Sequence, residues 1–404
     1  MRDVFIYDAI RSPRAKAKDS GGLHELTPHD LLKSLYDSLV ERTGLDPASV
    51  GEVILGCVTQ HGEQAANVAK TSAAYAGWPS SVAGMTVNRF CSSSIDAMSA
   101  GMLKIAAGQE NVIVAGGVEM MSRVPMLSDD ARAFKDPAFA ARCQMLMMGS
   151  GADLIATLND VSRAEADAIA VQSQQRADHA RREGYFKSVV PVHNPVKGID
   201  VTEDECIRAE ATVAALAELP PAFATLGAQG VDAAQLAAYP ALGEIQHIHT
   251  AGNSPAMADG ASLVLLGDAS LGETLGIAPR ARLVAAAVAN DDPLQVLTGC
   301  VASTQKLMKQ QGLSADEVDL FELHEAFAAT VVKCRKDLGI DDDKLNVNGG
   351  VIALGHPMGA TGACMAGALL DELERRDQAR GIVAASGAGG AGSALLIERT
   401  VSGA

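Results

Sequence analysis

A chain of 404 residues is long enough for roughly two or three domains, and 48% hydrophobic against 20% charged residues is a folded rather than a disordered balance. A formal net charge of −16 argues against nucleic acid as a partner, because phosphate binding needs a basic face. Seven scattered cysteines with no CxxC pair exclude a disulfide framework or zinc site and fit a reducing compartment. No segment approaches the ~18 uninterrupted apolar residues of a membrane span, and no basic-plus-apolar leader is present. A cytoplasmic protein without a membrane span is expected.

The first half alternates strand-like and helix-like segments. Val4–Tyr7 reads as a strand. Thr27, Pro28 and Asp30 read as the cap and first turn of a helix whose apolar face is Leu31, Leu32, Leu35, Leu39 and Val40. Between them Arg11, Arg14, Lys16 and Lys18 form a modest basic cluster, either a solvated terminal segment or a ligand contact. Val53–Leu55 is the next buried strand. Met85–Val87 leads to Cys91, and Ile95, Met98, Met102 and Ile105 mark the following helix. Asn111–Gly117 closes this half as a strand ending in glycine.

Residues 120–249 read differently. Ser162-Arg163-Ala164-Glu165 resembles a capping box that opens a long helix to about Gly184. Asp200–Glu205 is an acidic loop and Leu219-Pro220-Pro221 a break. The second half then repeats the plan of the first. Gly312–Val318 before Leu320–Leu323 parallels Gly44–Val50 before the strand at 53–55, Val347-Asn348 before His356 parallels Val87-Asn88 before Cys91, and Gly381–Ala385 parallels the strand at 111–115. The shared order points to a duplicated α/β unit, whose ligand would lie at the ends of the strands.

Two segments carry chemistry. Cys91 stands in Val87-Asn88-Arg89-Phe90-Cys91-Ser92-Ser93-Ser94, where a strand runs into a helix. Unpaired N–H groups and the helix dipole there favour thiolate. His356 stands in the glycine-rich Gly355-His356-Pro357-Met358-Gly359-Ala360-Thr361-Gly362-Ala363, and such a histidine can take the proton of a nearby thiol. A packing cysteine and a structural histidine are the bland alternatives.

Together with Gly116-Gly117-Val118-Glu119-Met120-Met121-Ser122-Arg123 and His324-Glu325-Ala326-Phe327-Ala328, these segments resemble the thiolase family over nearly the whole chain. The resemblance implies an α/β thiolase fold: two similar α/β halves in a five-layered αβαβα arrangement with an inserted loop domain. The N-terminal half would take residues 1–119 and 250–272, the loop domain covering the substrate 120–249, and the C-terminal half 273–404. It implies an acyltransferase that moves an acyl group between 3-oxoacyl-CoA and CoA in fatty-acid metabolism, through an acyl-Cys91 thioester activated by His356. Coenzyme A and acyl-CoA enter as substrates, and no tightly bound cofactor or metal is implied. A homodimer or homotetramer is expected, with a hydratase–dehydrogenase subunit as a further candidate partner.

The same resemblance assigns further positions. The backbone N–H groups of Cys91 and Ala388 match an oxyanion hole, and His324 stands where the commoner motif has an asparagine serving thioester-oxygen stabilisation; Glu325 reads as a structural partner. Met147, Met148, Ser254, Pro255, Ala326 and Phe327 align with substrate-binding positions. Two departures stand out. Ser386 replaces the second catalytic cysteine, and a hydroxyl is far less acidic than a thiol. Pro255 replaces a serine or threonine and has no N–H to donate. Cys91, His324 and His356 then resemble the Cys-His-His set of decarboxylating condensing enzymes. A degenerate thiolase that condenses by decarboxylation or uses another acyl acceptor, and a weakly active acyl-CoA-binding subunit, are the alternative readings.

Overall fold

Strand β1 (Val4–Arg11) precedes helix α1 (Pro28–Thr43) in the computed structural model, which describes residues 1–400. Thr27 and Asp30 form a reciprocal capping box, and Gly44 ends α1 at φ 71°, a left-handed turn suited to glycine. Leu31, Leu32, Leu35, Tyr36 and Leu39 are buried along one face of the helix, each leucine worth about 1.5–3 kcal/mol of burial. Strand β2 (Glu52–Gly56), helix α2 (Val68–Tyr75), strand β3 (Ala83–Val87), helix α3 (Ser93–Ala106) and strand β4 (Val112–Met120) follow. The expected strand ending in glycine instead runs on through Gly116 and Gly117 to Met120. A Cβ at Gly116 would meet the Ser262 carbonyl oxygen at 1.9 Å, and one at Gly117 the Gly359 oxygen at 2.3 Å, so these glycines mark close approach rather than an end.

The segment after β4 holds helices α4 (Met148–Leu158) and α5 (Arg163–Arg182), a small hairpin (Val192–Asn194 with Ile199–Val201) and several short helices. Ser162 caps α5 by accepting from the Glu165 N–H at 3.2 Å. The chain returns as strand β5 (Ala258–Gly267), which pairs antiparallel with β4 from Val112↔Gly267 to Met120↔Asp259. Strand β6 (Ala281–Asn290), helix α6 (Gly299–Gln311), strand β7 (Leu320–Leu323), helix α7 (Ala328–Leu338), helix α8 (Thr361–Arg376), strand β8 (Arg380–Ser386) and strand β9 (Ala391–Arg399) complete the second half. Its counterpart of β3 is reduced to a single bridge between Phe321 and Leu345, so the chain reaches His356 through loop and short helix rather than a full strand.

The strand order β7-β8-β9-β6-β1-β5-β4-β2-β3 joins the halves where Val4–Ile6 of β1 pair with Ala281–Leu283 of β6. Three apolar clusters define five layers. Leu31, Leu35, Val53 and Val114 pack α1 and α2 outside the first half; Leu307, Val331, Phe321 and Ile382 pack α6 and α7 outside the second. Between the two halves of the sheet, Ile95 and Met98 of α3 and Met365 and Leu369 of α8 pack against Ile54, Ile113, Val383 and Leu395. The layering therefore buries α3 and α8, the helices that follow Cys91 and His356, at the centre. No helix among the described residues is long and apolar enough to cross a membrane.

Candidate active site

The turn holding Cys91 is built by its own neighbours. Phe90 adopts φ +50°, and the Asn88 side chain accepts from its N–H at 2.8 Å. The serines that follow are all used. Ser92 donates to the Ala385 carbonyl at 2.7 Å, Ser93 accepts from the Arg89 N–H at 2.9 Å, and Ser94 accepts from the Ala363 N–H at 2.9 Å. Ser92 and Ser94 thereby tie the cysteine turn to the second half.

His356 arrives from that half. Gly355 takes φ +93°, open only to glycine, and the His356 N–H donates to the Ala256 carbonyl at 2.8 Å. Its Nε2 lies 3.1 Å from Cys91 Sγ, and its Nδ1 lies 2.7 Å from Thr361 Oγ1. With Nδ1–H donating to Thr361, Nε2 is the acceptor facing the thiol. The His324 ring stands beside it, centroids 4.6 Å apart. His324 is 2% exposed and neither ring nitrogen has a hydrogen-bond partner.

Burial decides the charge states. It pushes the Cys91 thiol up to about 12, with the charge of Glu119 adding to the effect. It also holds His356 well below the ordinary histidine range, helped by His324 and Arg14, and lowers His324 to about 4 against a small opposing pull from the Ser386 carbonyl. Burial thus acts against the thiolate that the helix terminus favours. Desolvation outweighs the helix terminus, and the pair rests as thiol and neutral imidazole.

Two cavities meet at Cys91. One, of about 350 Å³, is lined by His324, His356, Met147, Met148, Ser254, Pro255, Ala326 and Phe327, so all six residues expected at the substrate lie on one wall system. The other, of about 460 Å³, is lined by Phe90, Leu127, Phe134, Met145, Met148 and Ala388. Met126, Met148 and Met358 border both, and such flexible thioethers suit an apolar ligand. Asp153 of α4 ties this helix to the segment before Ser254, accepting from the Ile248 and His249 N–H groups at 3.2 and 3.1 Å. The N–H groups of Cys91 and Ala388 donate to no protein acceptor in the loop network of the described residues.

The Ser386 hydroxyl is not brought to this site, although the carbonyl of that residue lies beside His324. Its hydroxyl donates to the Leu297 carbonyl at 2.6 Å and accepts from the Cys300 N–H at 2.9 Å, and it lines neither cavity. Its place in the catalytic set by alignment is corrected to that of a fastener for the start of α6. Glu325 is likewise structural, accepting from Ser173 at 2.8 Å and from the Ile352 N–H at 3.2 Å. Arg11 and Arg14 are neither solvated nor in a ligand cavity. Both are buried, and Arg11 pairs with Asp204 at 2.7 and 2.8 Å. Sequence reasoning gave no role to Glu119 or Thr361, although both lie inside the motifs it quoted.

The chain is similar to known proteins over nearly its whole length. Residues 4–237 match the model of the thiolase N-terminal domain, and residues 277–399 that of the thiolase C-terminal domain. A 3-ketoacyl-CoA thiolase of Aliivibrio fischeri is 38% identical over 99% of this chain and 100% of its own. One of Bacillus subtilis is 35% identical over 98% of this chain and 100% of its own. The crystal structure of the Bacillus anthracis acetyl-CoA acetyltransferase superposes with a TM-score of 0.85 at 32% identity, covering 99% of both chains. The chain belongs to the thiolase family.

Two predictions follow from the geometry. An unfolded histidine protonates near 6.5 and folded His324 only near 4, so the unfolded chain binds more protons in that window. The stability tied to the neutral ring is full above about 6.5 and is lost as pH falls toward 4. His324→Asn should flatten this loss by roughly 3 kcal/mol in urea titrations, and equal slopes for both proteins would refute the assignment. Ser386→Ala leaves the Cys300 N–H and Leu297 carbonyl unpaired, so it should cost about 1–3 kcal/mol of stability. Its rate of Cys91 acylation should match the wild type; a large loss of that rate with intact stability would return the serine to the chemistry.

Proposed function

We propose that this thiolase-family acyltransferase cleaves 3-oxoacyl-CoA with CoA through an acyl-Cys91 thioester. The observation that carries the reading is the 3.1 Å contact between Cys91 Sγ and His356 Nε2 where two apolar cavities meet. His356 takes the thiol proton as sulfur attacks the 3-oxo carbon. The carbon–carbon bond then breaks, and that proton returns to the α-carbon of the departing acetyl-CoA, with His324 as the ring beside the path. The CoA thiol next attacks the thioester, its proton passing by His356 to the leaving Cys91 sulfur. The N–H groups of Cys91 and Ala388 would hold the oxyanion in both halves.

In this proposal residues 120–249 cover the substrate. The cavity with the two histidines takes the CoA-bearing end, and the cavity with Phe134 and Met145 takes the tail of the acyl group on Cys91. The buried Ser386 hydroxyl supports keeping the alternative in view, since no third proton carrier stands beside the histidines. A condensing enzyme that makes its carbanion by decarboxylation needs none.

Thiolysis of acetoacetyl-CoA and 3-oxooctanoyl-CoA, with intact-protein mass spectrometry, tests the reading. An acyl adduct and CoA-dependent cleavage are expected, with higher kcat/KM for the longer substrate; Cys91→Ala should lose both. Adduct formation without cleavage would favour the decarboxylating alternative. An adduct surviving in Cys91→Ala would end the assignment.

A homodimer also belongs to this proposal. Strand β3 is a sheet edge, and beside it lies a concave surface of about 910 Å³ that includes Arg89, Leu103 and Val288. An unpaired edge next to exposed apolar side chains suits a second copy of the chain. Light scattering at micromolar concentration should give at least twice the monomer mass; a monomer would contradict it.

A further inference from the structure

Arg14 is the most unusual charged group in the molecule. It is 1% exposed, yet no carboxylate lies within salt-bridge distance of its guanidinium among the described residues. Asp204, the nearest acidic group on the inserted segment, is committed elsewhere: it holds Arg11 through both oxygens and accepts only the backbone N–H of Arg14, at 2.8 Å. The single side-chain bond of Arg14 runs from Nη1 to the Gly355 carbonyl at 3.0 Å, while Nε and Nη2 are buried without a partner. Gly355 immediately precedes His356 and is pinned at φ +93° between Ala258 and Cys206.

A buried cation without a counter-ion is costly, so its persistence beside a reactive pair asks for a reason. We propose that Arg14 is a positioning residue for proton transfer from Cys91, a buried cation without a carboxylate partner whose Nη1 fixes the Gly355 carbonyl beside His356. The groups its charge reaches are Asp204 and Cys206 on the inserted segment, Glu322 of β7, and the two histidines. Asp204 is spent on Arg11. Burial pushes the Glu322 carboxyl well above its usual range, with Glu325 adding to it and Arg14 opposing it. Glu119 faces the same loop through the Gly359 N–H at 2.9 Å and opposes the guanidinium, while the Arg14 charge is the positive contribution on the imidazoles. It keeps Nε2 of His356 free to accept and leaves His324 neutral in the cavity.

The test reads Cys91 alkylation by iodoacetamide against pH, resolved by peptide because Cys143 is exposed. This readout needs no thiolysis, so it is independent of the substrate proposed above. Arg14→Gln keeps a donor for Gly355 and loses the charge, Arg14→Lys keeps the charge, and Arg14→Met loses both. The acid limb of the profile should move up by about one pH unit in the Gln and Met proteins and stay in place in the Lys protein. An unmoved limb in Arg14→Gln, or a limb in Arg14→Lys that moves with it, would overturn the proposal. If the neutral variants do not fold, the Lys protein carries the test, and any shift of its limb refutes the role of charge.

Discussion

Glu119 is the interaction on which the site depends. It ends β4 with a fully buried carboxylate that accepts four hydrogen bonds, two on each oxygen. Oε1 takes the Thr59 N–H at 3.0 Å and Gln64 Nε2 at 2.8 Å; Oε2 takes the Val58 N–H at 3.0 Å and the Gly359 N–H at 2.9 Å. Gly359 belongs to the loop of His356, whereas Val58 and Thr59 follow β2 in the half that carries Cys91. One carboxylate therefore locks together the loops that bring sulfur and imidazole within 3.1 Å. Gly56 and Gly117 permit the approach, since a Cβ on either would strike the Gly359 carbonyl. Burial pushes the Glu119 carboxyl up, but four donors are satisfied together only by the ionised form. The same charge lies near Cys91 and raises its thiol, so the clamp that sets the geometry also sets the resting protonation.

That resting state has a chemical consequence. Lifting the thiol from 9.0 to about 12 makes a lone thiolate about 4 kcal/mol harder to form. Charge is then made only when the proton passes to His356 and an electrophile is at hand. The proposed donors for the resulting oxyanion, the Cys91 and Ala388 N–H groups, are fixed in place before the reaction and need no reorganisation. A neutral pair in an apolar cavity is thus compatible with a reactive nucleophile.

Much of this was legible in the residues. The capping box of α1, the α/β alternation and the turn at Cys91 are local, and local rules governed them. The serines after Cys91 hinted at a built turn, and each hydroxyl proved to be used. What the sequence hid was long-range. Arg11 and Arg14 look like a solvated basic cluster until Asp204, nearly two hundred positions on, is folded against them. The orientation of Ser386 depends on Leu297 and Cys300, which no motif connects to it. Helix-terminus logic for the thiol failed because it is a local argument, while desolvation is set by every layer packed around the site. The second cavity was missed because Phe90, Phe134, Met145 and Ala388 converge on it from separate segments.

Ser386 and His324 stand at the ends of neighbouring strands and can be read together. With Ser386 holding the start of α6, no side chain on β8 is left to shuttle a proton. His324 stands on the neighbouring strand's end, with both ring nitrogens unsatisfied and its ring against that of His356. An unsatisfied imidazole inside a packed core costs stability unless a ligand supplies its partners. Glu325 one residue on, held by Ser173, Asn346 and the Ile352 N–H, fixes the turn that presents it. An asparagine at 324 could donate but not exchange a proton, whereas a histidine can do both.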